Sequence, residues 1–427
     1  MAKSEKCPHV VLVGGCGYRS GVPEHILHIV KAMKGRARIT IVSEPDQGGY
    51  TEARALGAAH HAIPGLASGL SPLRHFRACR DLLRLLREQP ATLVWVHARL
   101  AVLLCRIALV LRVWRPAHPV LFTFHGLPFD RGHRAILRWC SSLAERCVLR
   151  FSPPLDLVFL SNRMRASTIL HLGDSIATRH RLHVLANCSD LGQLPPIKRT
   201  AGGNIVMTGR ACYQKDYGTA LEVFSALPDR FTLTLAGVGT QSPRFQRKIE
   251  KSLPRATFKR ITFCGPVRNV RPLLAAADAF LLTSRYEGLP IGALEAFEVG
   301  LPLILKDFEG AKELAARHPF AMVTSFCDLK ADRDQILALL ADYQEQTPIS
   351  RAAVQHAWSQ SFSPKIFQHQ LYQLLEECGV SLPPIEGAPD CIRDVQAPHQ
   401  YHGRRSICPA PTPQPCYTDV EPSARSE

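Results

Sequence analysis

Short apolar runs rich in β-branched residues alternate along this chain with longer stretches in which apolar positions recur every three or four residues. The runs at 9 to 13, 38 to 43, 92 to 96, 119 to 124, 156 to 160 and 181 to 185 predict strands, and the amphipathic stretches between them predict helices. A breaker-rich segment from Gly192 to Gly203, with two prolines and three glycines, reads as a linker. Beyond it a second series of strands is expected at 204 to 208, 231 to 236, 260 to 264, 279 to 283 and 302 to 305. Strands that alternate with helices pair in parallel, because each helix carries the chain back to its starting edge. The expected fold is therefore α/β, with two Rossmann-like doubly wound parallel-sheet domains, 1–192 and 203–360, facing across a cleft. Ligands of such sheets sit beyond the carboxyl ends of the strands, which places the chemistry in that cleft.

Composition refines this picture. A chain of 427 residues exceeds one ordinary core, and 46% apolar with 21% charged residues describes a globular protein. The net charge of +16 is carried wholly by residues 1–200, where 28 Lys and Arg face 12 Asp and Glu, leaving 24 of each sign in the remainder. Such asymmetry suits an anionic partner, either a membrane surface or a phosphorylated acceptor. Without aromatic-interleaved basic motifs, nucleic acid is not expected. Fourteen cysteines without a C-x-x-C pair predict buried thiols in a reducing compartment, hence a cytoplasmic location. The apolar stretch from Leu100 to Trp114 is interrupted by Arg106 and Arg112, and spanning a bilayer takes about 20 apolar residues. Val10 to Val13 is too short for the core of an export signal. Nine prolines from Leu382 onward predict a disordered Pro-rich tail over 382–427, with Pro409 to Pro415 as its densest run.

The most informative stretch runs from Asp278 to Phe297, a buried strand followed by the Glu287-Gly288 turn and a helix opening near Pro290. Free N–H groups at such a helix start suit an anion like a diphosphate. Glu287 and Glu295 are eight residues apart, about 12 Å along a helix axis, whereas a retaining glycosidase needs its carboxyl groups about 5 to 5.5 Å apart. A hydrolase is disfavoured. A second cluster, Ile205 to Gly218, presents a strand, then Gly209-Arg210, then Gln214-Lys215-Asp216.

Together these segments resemble the Glu-x7-Glu motif and the Gly-Arg and Gln-Lys-Asp elements of retaining glycosyltransferases of family 4, whose architecture is called GT-B; the resemblance covers roughly residues 8 to 380. It implies that Glu287 approaches the donor sugar, that Glu295 binds the nucleotide ribose, and that Gly288, Leu289 and Ile291 flank the phosphates. Arg210 and Lys215 would hold the donor diphosphate in place of a metal, stabilising charge that develops as the nucleotide departs. No metal or cofactor is expected beyond the nucleotide diphosphate sugar. Phe231 to Gly239 resembles the strand ending in a glycine pair, and Ile261 to Val267 the loop whose backbone meets the base near Val267. The helix from Pro364 resembles the family's last helix, which over 361–380 crosses back to the N-terminal domain.

In the first half, Gly14-Gly15-Cys-Gly17 and the helix start at Glu24-His25 resemble the loop facing the cleft, with Gly15 on the donor side and Ser20 replacing a usual glycine. His125, ending Phe122-Thr-Phe, resembles the histidine beside the transferred sugar, and Leu182 to Asp190 resembles a Pro-Asn-Gly-x-Asp turn in which Cys188 replaces glycine. The expected activity is transfer of a hexose to a lipid-linked or polysaccharide acceptor at the inner face of the cytoplasmic membrane. A nucleotide-sugar epimerase of the same fold and a non-catalytic binding subunit are the alternatives. NAD binding is disfavoured, because the first loop lacks the third glycine and only Glu44 is placed to meet a ribose. Asp332-Arg-Asp334 reads as helix capping rather than metal ligation. Arg74, Arg77, Arg80, Arg84 and Arg87 form a stripe on a helix whose apolar side holds Leu73, Phe76, Leu83 and Leu86. With Arg131, Arg134 and Arg138 this stripe suits an anionic lipid surface.

Overall fold

The computed structural model describes residues 7–67, 69, 71–195, 203–345 and 347–383. The tail from residue 384 and linker residues 196–202 lie outside the described residues. The first half runs β1 (His9–Val13), α1 (Gly21–Ala32), β2 (Arg38–Ser43), α2 (Thr51–Ala55), β3 (Ala59–Ala62), α3 (Pro72–Glu88), β4 (Leu93–Val96), α4 (Arg99–Val110), β5 (Val120–Phe124), α5 (Ala135–Phe151), β6 (Asp156–Phe159), α6 (Asn162–Leu172), α7 (Ser175–Arg179) and β7 (Arg181–Val184). The second runs β8 (Asn204–Thr208), α8 (Tyr217–Ala226), β9 (Thr232–Ala236), α9 (Pro243–Ser252), α10 (Arg255–Phe258), β10 (Ile261–Gly265), α11 (Arg271–Ala275), β11 (Ala279–Leu282), α12 (Ile291–Val299), β12 (Leu303–Lys306), α13 (Ala311–Ala315), β13 (Ala321–Thr324), α14 (Leu329–Glu345), α15 (Thr347–Ser361) and α16 (Pro364–Glu377).

The strands form two all-parallel sheets, ordered β3-β2-β1-β4-β5-β6-β7 and β10-β9-β8-β11-β12-β13. Both reverse order at the centre, between β1 and β4 and between β8 and β11, where a doubly wound sheet opens its ligand crevice. Central strands such as β1 and β4 are buried along their whole length, as helices on both faces require. The sequence reading lacks β3 and β13, both edge strands. β3 is Ala-His-His-Ala and largely exposed, and β13 is only half-buried, so neither carries a continuous apolar signature.

α16 places Phe367, Leu371, Leu374 and Leu375 on one face, and they join Val10, Leu12, Ile26 and Trp95 in a single core. The last helix thus completes the first sheet's packing. α4 and α5 are fastened by a buried two-pronged ion pair, with Arg106 Nη1 and Nη2 donating to the Glu145 carboxylate at 2.7 and 2.9 Å. The arginine that interrupts the apolar stretch is an internal strut.

Three expectations need correction. Of the described cysteines, Cys105, Cys188 and Cys378 are buried, but Cys7, Cys140, Cys147, Cys212 and Cys327 are exposed, because Cys140 and Cys147 lie on the outer face of α5 and the other three lie outside the helices and strands; all described cysteines are free thiols. Leu73 and Phe76 stand in solvent, since the first turns of α3 overhang the core that Leu82, Leu83, Leu85 and Leu86 fill. The cap of α14 is Asp328, whose carboxylate accepts from the Lys330 and Ala331 amides at 3.1 Å each. Asp332 is buried and accepts from the Thr324 hydroxyl, tying the helix to β13.

Candidate active site

Beyond β8 the chain turns through Gly209 and Arg210 into one turn of 3-10 helix, Tyr213–Lys215. The turn passes so close to β9 that a Cβ at Gly237, whose φ is 145°, would stand 1.9 Å from the Gly209 carbonyl oxygen. Only glycine fits. The Lys215 side chain folds over Gly209, and its Nζ lies 2.7 Å from Glu287 Oε1, which also accepts from the Ser284 hydroxyl at 3.0 Å. This arrangement is braced by the loop after β11. The Thr283 hydroxyl donates to the Lys215 and Asp216 carbonyls at 3.1 and 3.0 Å, and the Arg285 amide donates to the Gln214 carbonyl at 2.8 Å. Asp216, given no role in the sequence reading, is buried with φ 48° and ion-pairs with Arg285 and Lys306 at 2.5 and 2.7 Å. It is a positioning residue, and its place as the Asp of the Gln-Lys-Asp element was the signal the sequence carried.

The turn after Glu287 sits where both halves of the chain meet. A Cβ at Gly288 would lie 2.9 Å from the His125 carbonyl oxygen and 3.0 Å from Met164 Sδ. On its other side, a Cβ at Gly310 would stand 1.8 Å from the Gly288 carbonyl oxygen. Gly292 lets the first turn of α12 rest against the Thr208 hydroxyl at the end of β8. The amides of Leu289, Ile291 and Gly292 donate to no described residue and form the open end of α12. Pro290, its N-cap, has no N–H and sets the geometry.

Glu295 lies one turn into α12, partly exposed. Burial of its carboxyl, with the negative charges of Glu24 and Glu298 alongside and against the pull of Arg19, pushes its pKa up to about 8. Arg210 instead aims its guanidinium at the first half, donating to the Tyr18 hydroxyl at 2.8 Å. Beside it, Arg19 donates to the Arg268 carbonyl at 2.7 Å, so the loop carrying Val267 closes on the glycine-rich loop. Gly15 is buried, and a Cβ there would lie 2.8 Å from that of Ala98, which makes it a packing glycine. Glu44 accepts from the Gly65 amide at 2.6 Å and pairs with Arg74 at 3.0 Å, so it is occupied internally and not presented to a ribose.

From the first half, His125 follows β5 directly and lies against Gly288, and burial lowers its pKa to about 3, so its imidazole is neutral. Two further histidines, His25 of α1 and His97 after β4, pack around it. The first-loop resemblance includes His25 only as part of a helix start, and no motif carries His97. Asp130, in the next loop, has its pKa raised to about 6 by burial and by the neighbouring charges of Glu309 and Glu287. The structure therefore gathers Lys215, Glu287, the 288–291 turn and His125 into one place. Glu295 and Arg210 flank it toward the glycine-rich loop.

Two family models match the chain: a glycosyl transferase 4-like domain over residues 20–188 and glycosyl transferases group 1 over residues 202–342. The chain is 24% identical over 272 residues to the UDP-Gal:alpha-D-GlcNAc-diphosphoundecaprenol alpha-1,3-galactosyltransferase of Escherichia coli, covering 58% of this chain and 66% of that protein. It is 22% identical over 240 residues to the amylovoran biosynthesis glycosyltransferase AmsD of Erwinia amylovora, covering 56% of this chain and 64% of that one. The chain thus spans just under two thirds of the length of these curated relatives. Its fold matches that of Anabaena HepE, solved in complex with UDP and glucose, with a TM-score of 0.70, 16% identity, and coverage of 87% of this chain and 100% of that one.

Proposed function

Because the chain belongs to the family 4 type glycosyltransferases of GT-B fold, we propose that it transfers a hexose, with retained anomeric configuration, from a nucleotide diphosphate sugar to a lipid-linked or polysaccharide acceptor in envelope or exopolysaccharide synthesis. The observation that carries this reading is the Lys215–Glu287 pair set directly before the open amides of α12. A fixed ammonium and a row of main-chain donors suit a diphosphate, and the adjoining carboxylate suits the hydroxyls of the attached sugar. The C1–O bond to the diphosphate breaks, a bond from the acceptor oxygen forms on the same face, and the acceptor proton passes to the departing phosphate oxygen. Lys215 and the amides of Leu289 and Ile291 stabilise the charge gained by that phosphate, with Arg210 swinging from Tyr18 to join them. Glu287 and neutral His125 orient the sugar, Glu295 holds the ribose, and the backbone near Val267 meets the base. No metal is required in this scheme. Incubation with candidate nucleotide sugars and acceptors tests it: glycosylated acceptor with free nucleoside diphosphate supports transfer, whereas epimerised donor or no turnover rejects it.

Glu295 makes the donor affinity depend on pH. If its carboxylate accepts the ribose hydroxyls, binding below about pH 8 must first expel a proton, so affinity rises about tenfold per pH unit and levels off above that point. Calorimetric titrations of nucleoside diphosphate across this range measure the slope. Glu295→Gln is expected to weaken binding and flatten the profile; an unaltered slope in that variant would remove Glu295 from the ribose site.

The acceptor side of the proposal places the first half against the inner face of the cytoplasmic membrane. No helix among the described residues is long and apolar enough to cross a membrane. However, α5 exposes Ile136, Leu137, Trp139 and Leu143 beside Arg134 and Arg146, and α3 exposes Leu73 and Phe76 beside Arg77. Apolar side chains mixed with arginines suit the headgroup layer of anionic lipid. Anionic vesicles should capture the protein at low salt and release much of it at high salt. Trp139→Glu should weaken capture, and equal sedimentation with neutral and anionic vesicles would reject the electrostatic part.

A further inference from the structure

His25 and His97, packed around His125 of the proposed sugar site, make a second arrangement that sugar transfer does not explain. His25 and His97 are wholly buried, yet His25 Nε2, both ring nitrogens of His97, and His125 Nε2 have no hydrogen-bond partner among the described residues. A buried ring nitrogen left without a partner is costly, so three such rings with one nitrogen each turned to a common place call for a ligand. Asn187 fixes which nitrogen of His25 faces inward. Its amide nitrogen donates to the Leu289 carbonyl at 2.5 Å, which leaves Asn187 Oδ1 to accept from His25 Nδ1 at 2.7 Å. The lone pair of His25 is therefore on Nε2, toward the other two rings.

We propose that His25, His97 and His125 form a binding site for a transition-metal cation that prefers nitrogen ligands, such as Zn2+. One ring nitrogen from each lies within 4.8 Å of the others. In a tetrahedral site with Zn–N bonds of about 2.0–2.1 Å, bound imidazole centroids lie about 5 Å apart and the nitrogens about 3.4 Å apart. The centroids here are 5.4, 5.0 and 5.7 Å apart, so the rings already stand at ligand spacing and need mainly to rotate. The Asn187 contact supplies the outer hydrogen bond that orients metal-binding histidines. His125 is half-buried whereas His25 and His97 are wholly buried, so a fourth ligand would enter from the His125 side. A cation there occupies space next to the sugar, so Zn2+ should inhibit transfer; that consequence rests on the proposed function, whereas binding itself does not.

Titrating the full chain with Co2+ should give one equivalent bound with the intense visible absorption of tetrahedral cobalt, displaced by Zn2+. His97→Gln should abolish the signal, and Asn187→Ala should weaken affinity by roughly tenfold to a hundredfold. Zinc-edge X-ray absorption on the unaltered chain, which needs no variant to fold, should show an imidazole shell without sulfur. A sulfur at about 2.3 Å would place the ion on a cysteine, for instance at Cys378, where Asp156 and His183 also gather, and would overturn the proposal. Absence of stoichiometric binding, or affinity unchanged in a folded His97→Gln protein, would do the same.

Discussion

Replacing Lys215 with Ala should lower the turnover of sugar transfer by about two orders of magnitude or more. Its side chain is only 17% exposed, and its ammonium is held at 2.7 Å from Glu287 by a loop braced through Thr283, Asp216 and Arg285. A charge fixed in that way needs no reorganisation when the leaving phosphate gains its negative charge, so it acts more strongly on the transition state than on the bound donor. The loss should therefore appear mainly in kcat, with a smaller change in nucleoside diphosphate affinity. Steady-state rates at saturating acceptor, paired with calorimetry, separate the two. Turnover equal to that of the unaltered chain would exclude Lys215 from catalysis.

The largest effect on stability is expected at Glu145. Arg106 and Glu145 are 1% and 9% exposed at the side chain and joined through two hydrogen bonds. Removing one partner leaves the other charge stranded in the core, which costs about 3–5 kcal/mol, although an apolar pair of matching volume is often tolerated. Glu145→Ala should accordingly lower the denaturation midpoint sharply, and combining Arg106→Met with Glu145→Leu should recover much of the loss. A single-variant change below about 1 kcal/mol would show that the pair is dispensable. Among the residues of α5 only Glu145 and Leu149 are buried, so weakening this strut should also loosen the helix that carries Trp139 and reduce vesicle capture.

The legible part of the fold was that in which burial leaves a periodic trace. Central strands buried on both faces, such as Val10-Val-Leu-Val13 and Ala279-Phe-Leu-Leu282, stood out, whereas α16 was expected only through its resemblance to the family's last helix. β3 stayed hidden because an exposed edge needs no apolar run, and Phe76 misled because its helix overhangs the core. At the site, residues carried by short local motifs were readable: Lys215, Glu287 and the turn between Gly288 and Ile291. The grouping of His25 and His97 was not, since they come from separate elements, and only the parallel order that sets β4 between β1 and β5 brings them to His125. Asp216 and Asn187 act through partners dozens of residues away, which no local spacing encodes.

The return of α16 has a bearing on how the chain is made. Phe367, Leu371, Leu374 and Leu375 emerge from the ribosome long after Val10, Leu12 and Ile26, whose core they complete. Until then the nascent first half carries an uncovered greasy flank on α1, a contact of very long sequence separation that slows closure and invites chaperone capture. A fragment ending before Pro364 should for that reason be recovered mainly as aggregate, even though it retains every strand of both sheets.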